Sequence, residues 1–236
     1  MTENQQAPSR SVYCEDAITW LQNSSVLPSA SLVASLPDLS EFPKYSLEQW
    51  KQWFTSTAAL ILSKVPETGV AIFYQSDVKL DGLWIDKGYL VQKAAEQEGA
   101  ELLWHKVVCR AQPGQATFGR TGYSHLLCFS KELRLELDAS TADVLPEMGE
   151  KTWERGMGLN ACWAIGNFIK EQTTCTTIVN PFCGHGSMLA VANALGLSAI
   201  GIERSAKRAE IARRISVDLE RKSWINVDCL IPINHR

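Results

Sequence analysis

The sequence predicts a single α/β domain built on a doubly wound, mostly parallel sheet of seven strands, with an antiparallel pair at one edge. Short apolar runs alternate with helical patterns along most of the 236 residues, which is typical of strands joined by helices. The run from Val70 to Tyr74 is almost continuously apolar, as expected for a parallel strand covered on both faces. The stretch 177–204 adds a strand, a glycine-rich turn, a helix and a second strand that ends in an acidic residue.

The chain begins with a polar segment that contains no apolar core. Residues 1–10 therefore predict a disordered tail, followed by one domain over residues 11–236. Residues 11–14 predict the first strand, and Asp16 is placed to cap a short helix.

The next elements alternate between apolar runs and helical periodicity. A second strand ends at Ala34 and leads into Ser35-Leu36-Pro37-Asp38, and apolar residues at spacings of three and four predict a helix over 46–65. After the strand at 70–74, Asp86 is placed to cap another helix that ends near Gly99.

The middle of the chain departs from strict alternation. Two strands are predicted at 102–109 and 123–129 with no helix between them, so they form the antiparallel edge pair. Residues 130–151 have little periodicity and are interpreted as a connector. A helix predicted over 152–171 then leads into the glycine-rich stretch.

The glycine turn at 180–186 predicts a nucleotide-type ligand. Gly184 and Gly186 let the backbone approach a ligand closely, and Glu203, about twenty residues on, can hold two ribose hydroxyls. The turn lacks the Gly-Lys-Ser/Thr of a phosphate loop and the third glycine of a dinucleotide site. The alternative is a glycine-capped βαβ unit that binds nothing.

Composition limits the class of protein and of partner. The net charge is −3, so any nucleic-acid contact needs a local basic patch. Seven cysteines without a CxxC pair indicate reduced thiols, a cytoplasmic location and no metal site. No apolar run approaches the length of a transmembrane helix, so no membrane association is expected.

The turn Asn180-Pro181-Phe182-Cys183-Gly184-His185-Gly186 resembles the Asp-Pro-Phe-x-Gly-x-Gly motif of S-adenosylmethionine-dependent amino-methyltransferases. The following Ile-Gly-Ile-Glu resembles that family's next strand. Because the glycine motif comes last in the chain, the order resembles the circularly permuted β group of N4-cytosine and N6-adenine methyltransferases. The resemblance implies a Rossmann-like fold, methyltransferase activity and S-adenosyl-L-methionine as cofactor.

The resemblance also implies two functional halves, a catalytic half over 11–130 and a cofactor-binding half over 152–222. In the cofactor site it places Asp16 at the adenine and Glu203 at the ribose. The residues it places at the methionine end are Asn180, Pro181, Phe182, Gly184 and Gly186.

The catalytic residues implied by the resemblance are Ser35, Pro37 and Asp38, from a segment that stands where the family carries Asp/Asn/Ser-Pro-Pro-aromatic. Ser35 and the Leu36 carbonyl can accept hydrogen bonds from a target amine. Asp38 replaces the aromatic residue and cannot stack on a base, so it is expected to accept a proton instead. The alternative is that Asp38 only caps the turn that follows.

Structured RNA, either transfer or ribosomal, is the expected substrate, because the connector before the glycine motif is too short for a DNA-reading domain. Phe42 and Tyr45 are candidates for base stacking, and Asp77 and Lys79 for a loop that contacts the substrate. The alternatives are a methyltransferase of a small molecule or protein and a non-catalytic binding subunit, with DNA ranked below them.

Overall fold

A computed structural model of the chain describes residues 7–221 and 223–225. The strands in chain order are β1 Arg10–Tyr13, β2 Ala30–Ala34, β3 Ala71–Gln75, β4 Val78–Leu80, β5 Leu83–Ile85, β6 Glu101–Cys109, β7 Tyr123–Ser130, β8 Val144–Leu145, β9 Thr177–Asn180, β10 Ser198–Ile202, β11 Ser216–Asp218 and β12 Ser223–Ile225. The helices are α1 Ala17–Asn23, α2 Leu47–Ser63, α3 Lys87–Gln97, α4 Leu159–Gln172, α5 Ser187–Ala194 and α6 Ala206–Arg214, with 3-10 turns at Leu39–Glu41 and Leu137–Ala139.

One eight-stranded sheet organises these elements in the order β1-β10-β9-β2-β3-β7-β6-β8. Strands β1, β10, β9, β2 and β3 run parallel, and β7 runs antiparallel to both β3 and β6. The predicted fold, a mostly parallel sheet with an antiparallel edge pair, is confirmed. The sheet has one strand more than the predicted seven, because the two-residue β8 pairs with Val107 and Val108 and is too short to show periodicity.

Helices cover both faces of the sheet. One core contains residues from α1, α2 and α3, and the other contains residues from α4, α5 and α6. Within β3, Ala71 and Phe73 belong to the first core while Ile72 and Tyr74 belong to the second. This burial on both faces explains why the strand is a continuous apolar run.

Side-chain caps begin four of the described helices, namely α1, α2, α3 and α6. Asp16 accepts a hydrogen bond from Thr19 N–H at 3.0 Å, and Asp86 accepts one from Tyr89 N–H at 2.8 Å, as predicted. Ser46 caps α2 and exchanges hydrogen bonds with Gln49.

Two predicted boundaries need correction. The helix predicted from residue 152 begins at Leu159, because the backbone at Gly158 passes so close to Met148 that a Cβ there would lie 2.1 Å from its carbonyl oxygen. The predicted tail over residues 1–10 overlaps β1, because Arg10 is the first residue of that strand. Residues 1–6 of the predicted tail lie outside the described part of the chain. Within the described residues, no helix is long and apolar enough to cross a membrane.

Candidate active site

A cavity of about 470 Å³ lies at the carboxyl ends of the parallel strands, where ligands bind in doubly wound sheets. Most of the predicted site residues line it. These are Asp16, Ser35, Pro37, Asp38, Phe42, Asn180, Pro181, Phe182, Gly184 and Glu203. Four predicted site residues do not line it, namely Tyr45, Asp77, Lys79 and Gly186.

Two carboxylates occupy one end of the cavity. Asp16 follows β1, and Glu203 follows β10, which is the neighbour of β1 in the sheet. Glu203 is 8% exposed, and its Oε1 accepts hydrogen bonds from Ser205 N–H and Arg208 Nη2, both at 2.8 Å. Both of these contacts fall on one oxygen, so Oε2 can still accept from a ligand hydroxyl.

The glycine turn forms the middle of the cavity wall. Asn180 Oδ1 accepts from Phe182 N–H at 3.3 Å, which holds the turn as it leaves β9. Gly184 has a φ of 56°, in the region that favours glycine. Gly186, with a φ of 82°, faces away from the cavity, because a Cβ there would lie 2.8 Å from Ala212 Cα in α6. It therefore serves helix packing.

Trp153 covers the glycine turn. It was not predicted as a site residue, because it lay within the helix predicted over 152–171. Its ring stacks on His185 with centroids 5.1 Å apart, and the Arg208 guanidinium lies 5.4 Å from the ring centroid. A Cβ on Gly184 would lie 3.2 Å from this ring. Burial lowers the pKa of His185, and the Arg208 cation acts in the same direction, so the imidazole is neutral at pH 7.

This end of the cavity fits a nucleoside cofactor by its donor and acceptor groups. Glu203 and Asp16 offer carboxylate acceptors for hydroxyl and amino hydrogens, and Gly184 allows close approach of the backbone. An aromatic ring and a cation, Trp153 and Arg208, border the same space.

The tetrapeptide after β2 brings Ser35 and Asp38 to the cavity. Trp50 Nε1 donates to the Pro37 carbonyl at 3.3 Å and fixes the turn. Asp38 is buried and forms ion pairs with Lys87 Nζ, at 2.6 Å, and with the Arg120 guanidinium. Burial lowers the pKa of Lys87, and the Asp38 carboxylate opposes that shift.

These ion pairs bear on the predicted role of Asp38. A carboxylate with two cationic partners must weaken one of those pairs when it accepts a proton. Lys87 and Arg120 were not predicted as site residues, because they lie on α3 and on the loop before β7, far from Asp38 in the sequence.

The predicted substrate residues divide into two groups. Phe42 lines the cavity and packs on Trp53, with ring centroids 4.4 Å apart. Tyr45 packs on Phe42 outside the cavity and is 43% exposed. Asp77 accepts hydrogen bonds from Lys87 N–H at 2.9 Å and from Trp84 Nε1 at 3.0 Å, outside the cavity. Lys79 donates to the Thr117 carbonyl at 2.9 Å.

Solved structures of three proteins, two of them described as DNA methylases, share this fold. The cytosine-N4-specific PvuII DNA methyltransferase is 14% identical, with a TM-score of 0.69 over 95% of this chain and 91% of its own. A Thermus thermophilus protein assigned as a DNA modification methylase, solved with S-adenosyl-L-methionine, is 16% identical, with a TM-score of 0.66 over 90% and 93%. M1.HpyAVI, also solved with S-adenosyl-L-methionine, is 15% identical, with a TM-score of 0.57 over 87% and 98%.

No protein-family model matches the sequence. The search of curated proteins also found no match.

These structures overturn the expectation of transfer or ribosomal RNA as substrate and partner. The expectation depended on the short connector before α4, which was judged too small for reading DNA. This chain nevertheless covers 91% of the PvuII DNA methyltransferase, so a DNA methyltransferase can be scarcely larger than this fold. A short connector therefore does not argue against DNA.

At these identities the likeness establishes the architecture, in agreement with the strand order and the late glycine turn. The resemblance predicted from the sequence is thus confirmed at the level of the fold, and the chain has the fold of the amino-methyltransferases that modify DNA.

Proposed function

We propose that the protein is an S-adenosyl-L-methionine-dependent methyltransferase that transfers a methyl group to a base amine in DNA. One observation carries the proposal: the glycine turn with Glu203 and the Ser35 tetrapeptide line the same cavity. The strand order places β9 beside β2, so the cofactor turn and the acceptor segment are neighbours. The DNA-modifying neighbours support the choice of substrate.

In the cofactor half, proposed as residues 152–222, Glu203 holds the ribose hydroxyls and Asp16, from the other half, contacts the adenine. Asn180, Pro181, Phe182 and Gly184 line the methionine end. When bound, S-adenosyl-L-methionine supplies an electrophilic methyl group on a sulfonium.

In the catalytic half, proposed as residues 11–130, Ser35 Oγ and the Leu36 carbonyl accept hydrogen bonds from the target amine. These acceptors hold the amine nitrogen in line for attack and concentrate its lone pair. Pro37, held through its carbonyl by Trp50, keeps the segment rigid. Phe42 supplies an aromatic wall for the base.

Asp38 remains a predicted proton acceptor, but its ion pairs support a second role. By holding Lys87 and Arg120, the carboxylate anchors α3 and the loop before β7 to the acceptor segment. Asp77 joins the same scaffold through the Lys87 backbone. Tyr45, Lys79 and Gly186 support neighbouring structure rather than the substrate.

A cytoplasmic location belongs to the same proposal. Six cysteines in the described part of the chain are free thiols, as expected in a reducing compartment.

The test is methyl transfer from labelled cofactor to unmethylated genomic DNA, followed by nucleoside mass spectrometry. We expect label in N4-methylcytosine or N6-methyladenine. Ser35→Ala should lower the rate at least tenfold with cofactor affinity unchanged, because it removes one acceptor from the target amine. A protein that binds the cofactor but labels no DNA would contradict the proposal.

A further inference from the structure

The end of the cavity opposite the two carboxylates is basic. Arg110 follows β6, Arg120 precedes β7, and Lys151 lies on the segment before α4; all three line the cavity. Along the sheet edge the order is Glu203 after β10, the glycine turn after β9, Ser35 after β2 and Gln75 at the end of β3. The acceptor segment therefore lies between the cofactor turn and the basic end.

Two buried polar groups at this basic end have no partner among the described residues. Gln75 is 1% exposed, lines the cavity, and its Nε2 makes no hydrogen bond. Arg110 Nη1 is likewise buried and without a hydrogen bond, and no carboxylate in the described chain lies within 4.0 Å of this guanidinium. A buried donor that makes no hydrogen bond costs free energy, so each of these two unpaired groups needs an explanation.

The charges at this end are not balanced by the protein. Asp38 already has Lys87 and Arg120 as partners. Burial lowers the pKa of Lys151, and the Arg110 and Arg120 cations lower it further, although Glu154 acts in the opposite sense. Lys151 Nζ donates to the Glu154 carbonyl at 2.7 Å, which leaves two ammonium hydrogens for a ligand.

We propose that Arg110, Lys151 and Gln75 Nε2 form an anion subsite that binds a phosphate of the DNA strand carrying the target base. The inference rests on the proposed function and adds the group that anchors the substrate. In the order of the strands, a group bound here lies beyond the acceptor segment as seen from the glycine turn. All three side chains line the cavity and offer N–H donors, which match the acceptor oxygens of a phosphate.

The test is the salt dependence of affinity for a short fluorescein-labelled DNA duplex, followed by anisotropy. We expect Arg110→Gln to weaken binding about tenfold. It should also lower the slope of log K against log salt by about 0.9, the value for one lost phosphate contact. Arg134→Gln is the matched control, because Arg134 is exposed and does not line the cavity; its slope should equal that of the unchanged protein.

A second variant keeps the test independent of Arg110. Gln75→Glu has nearly the same shape, but its carboxylate would pair with the Arg110 guanidinium and repel a phosphate. We expect it to weaken DNA binding at least as much as Arg110→Gln. Circular dichroism of both variants establishes that they are folded.

Calorimetry with S-adenosylhomocysteine separates this inference from the proposed function. If DNA binds but neither variant changes its affinity or slope, the subsite is wrong and the proposed function stands. If the variants weaken cofactor affinity instead, the cations hold the cofactor carboxylate and the subsite is wrong. If the unchanged protein binds cofactor but no DNA, the proposed substrate fails and the subsite fails with it.

Discussion

The two ends of the cavity differ in charge and in how the chain builds them. The cofactor end carries the carboxylates of Asp16 and Glu203 and comes largely from one continuous stretch, in which Glu203 follows the glycine turn by about twenty residues. The acceptor end, next to the basic cluster, is assembled from Asp38, Lys87 and Arg120, which lie on three separate parts of the chain. Local sequence is therefore sufficient to indicate the first end, whereas the second depends on tertiary contacts.

The largest effect we expect comes from breaking the acceptor end. Asp38→Asn would leave Lys87 buried without its counterion, and one-sided loss of a buried ion pair costs about 3–5 kcal/mol. Urea denaturation measures the loss, and the double variant Asp38→Asn with Lys87→Met should recover part of it. A single variant within about 1 kcal/mol of the unchanged protein would show that the ion pairs do not hold this end together.

The next largest effect is a loss of cofactor affinity and comes from Glu203 at the cofactor end. Glu203→Ala should weaken cofactor binding about 100-fold, because two hydrogen bonds to a carboxylate contribute about 1.5 kcal/mol each. Calorimetry with S-adenosyl-L-methionine provides the measurement. Glu210→Ala is the control, since Glu210 pairs only with surface arginines in the described contacts. Equal affinities for the two variants would remove Glu203 from the site.

Substitution of the two glycines of the turn, Gly184 and Gly186, should separate effects on cofactor affinity from effects on stability. Gly186→Ala should cost about 2 kcal/mol of folding free energy, because it adds a Cβ against the α6 backbone at a positive φ. Gly184→Ala also places a side chain at a positive φ, but its Cβ meets the Trp153 ring rather than backbone, so it should cost less folding free energy, about 1 kcal/mol, and reduce cofactor affinity. Thermal denaturation and calorimetry separate the two effects. The reverse pattern would mean that Gly186, rather than Gly184, faces the ligand.

The smallest effect we expect is on stability at low pH. It comes from Asp77, which accepts a hydrogen bond from the Lys87 backbone behind the acceptor end. Burial acts to raise the pKa of Asp77, but hydrogen bonds from His125, the Lys87 N–H and Trp84 outweigh it, so the pKa lies below its usual 3.8. A lowered pKa stabilises the fold above about pH 4, and this contribution is lost as the pH falls through the folded value. Asp77→Asn should flatten the loss of stability below about pH 4, whereas the exposed Asp138→Asn should not.

The sequence predicted the fold because its signals were periodic or local. The continuous run 70–74 and the strand pair without a helix correctly indicated the sheet and its antiparallel edge. The helix predicted from residue 152 failed over 152–158, because Gly156 and Gly158 are poor helix formers and Gly158, packed against Met148, is the N-cap of the helix that begins at Leu159. Neither Trp153 over the turn nor the partners of Asp38 could be predicted, because no spacing in the sequence encodes such distant contacts.

The placement of Trp153 has a thermodynamic consequence. Only one residue, Thr152, lies between it and Lys151, so one short segment faces both the glycine turn and the basic end. We expect binding at either place to fix that segment for the other, in which case reciprocity requires each ligand to increase affinity for its counterpart by the same factor. Measured cooperativity between S-adenosylhomocysteine and DNA would report this coupling, and Trp153→Ala should abolish it.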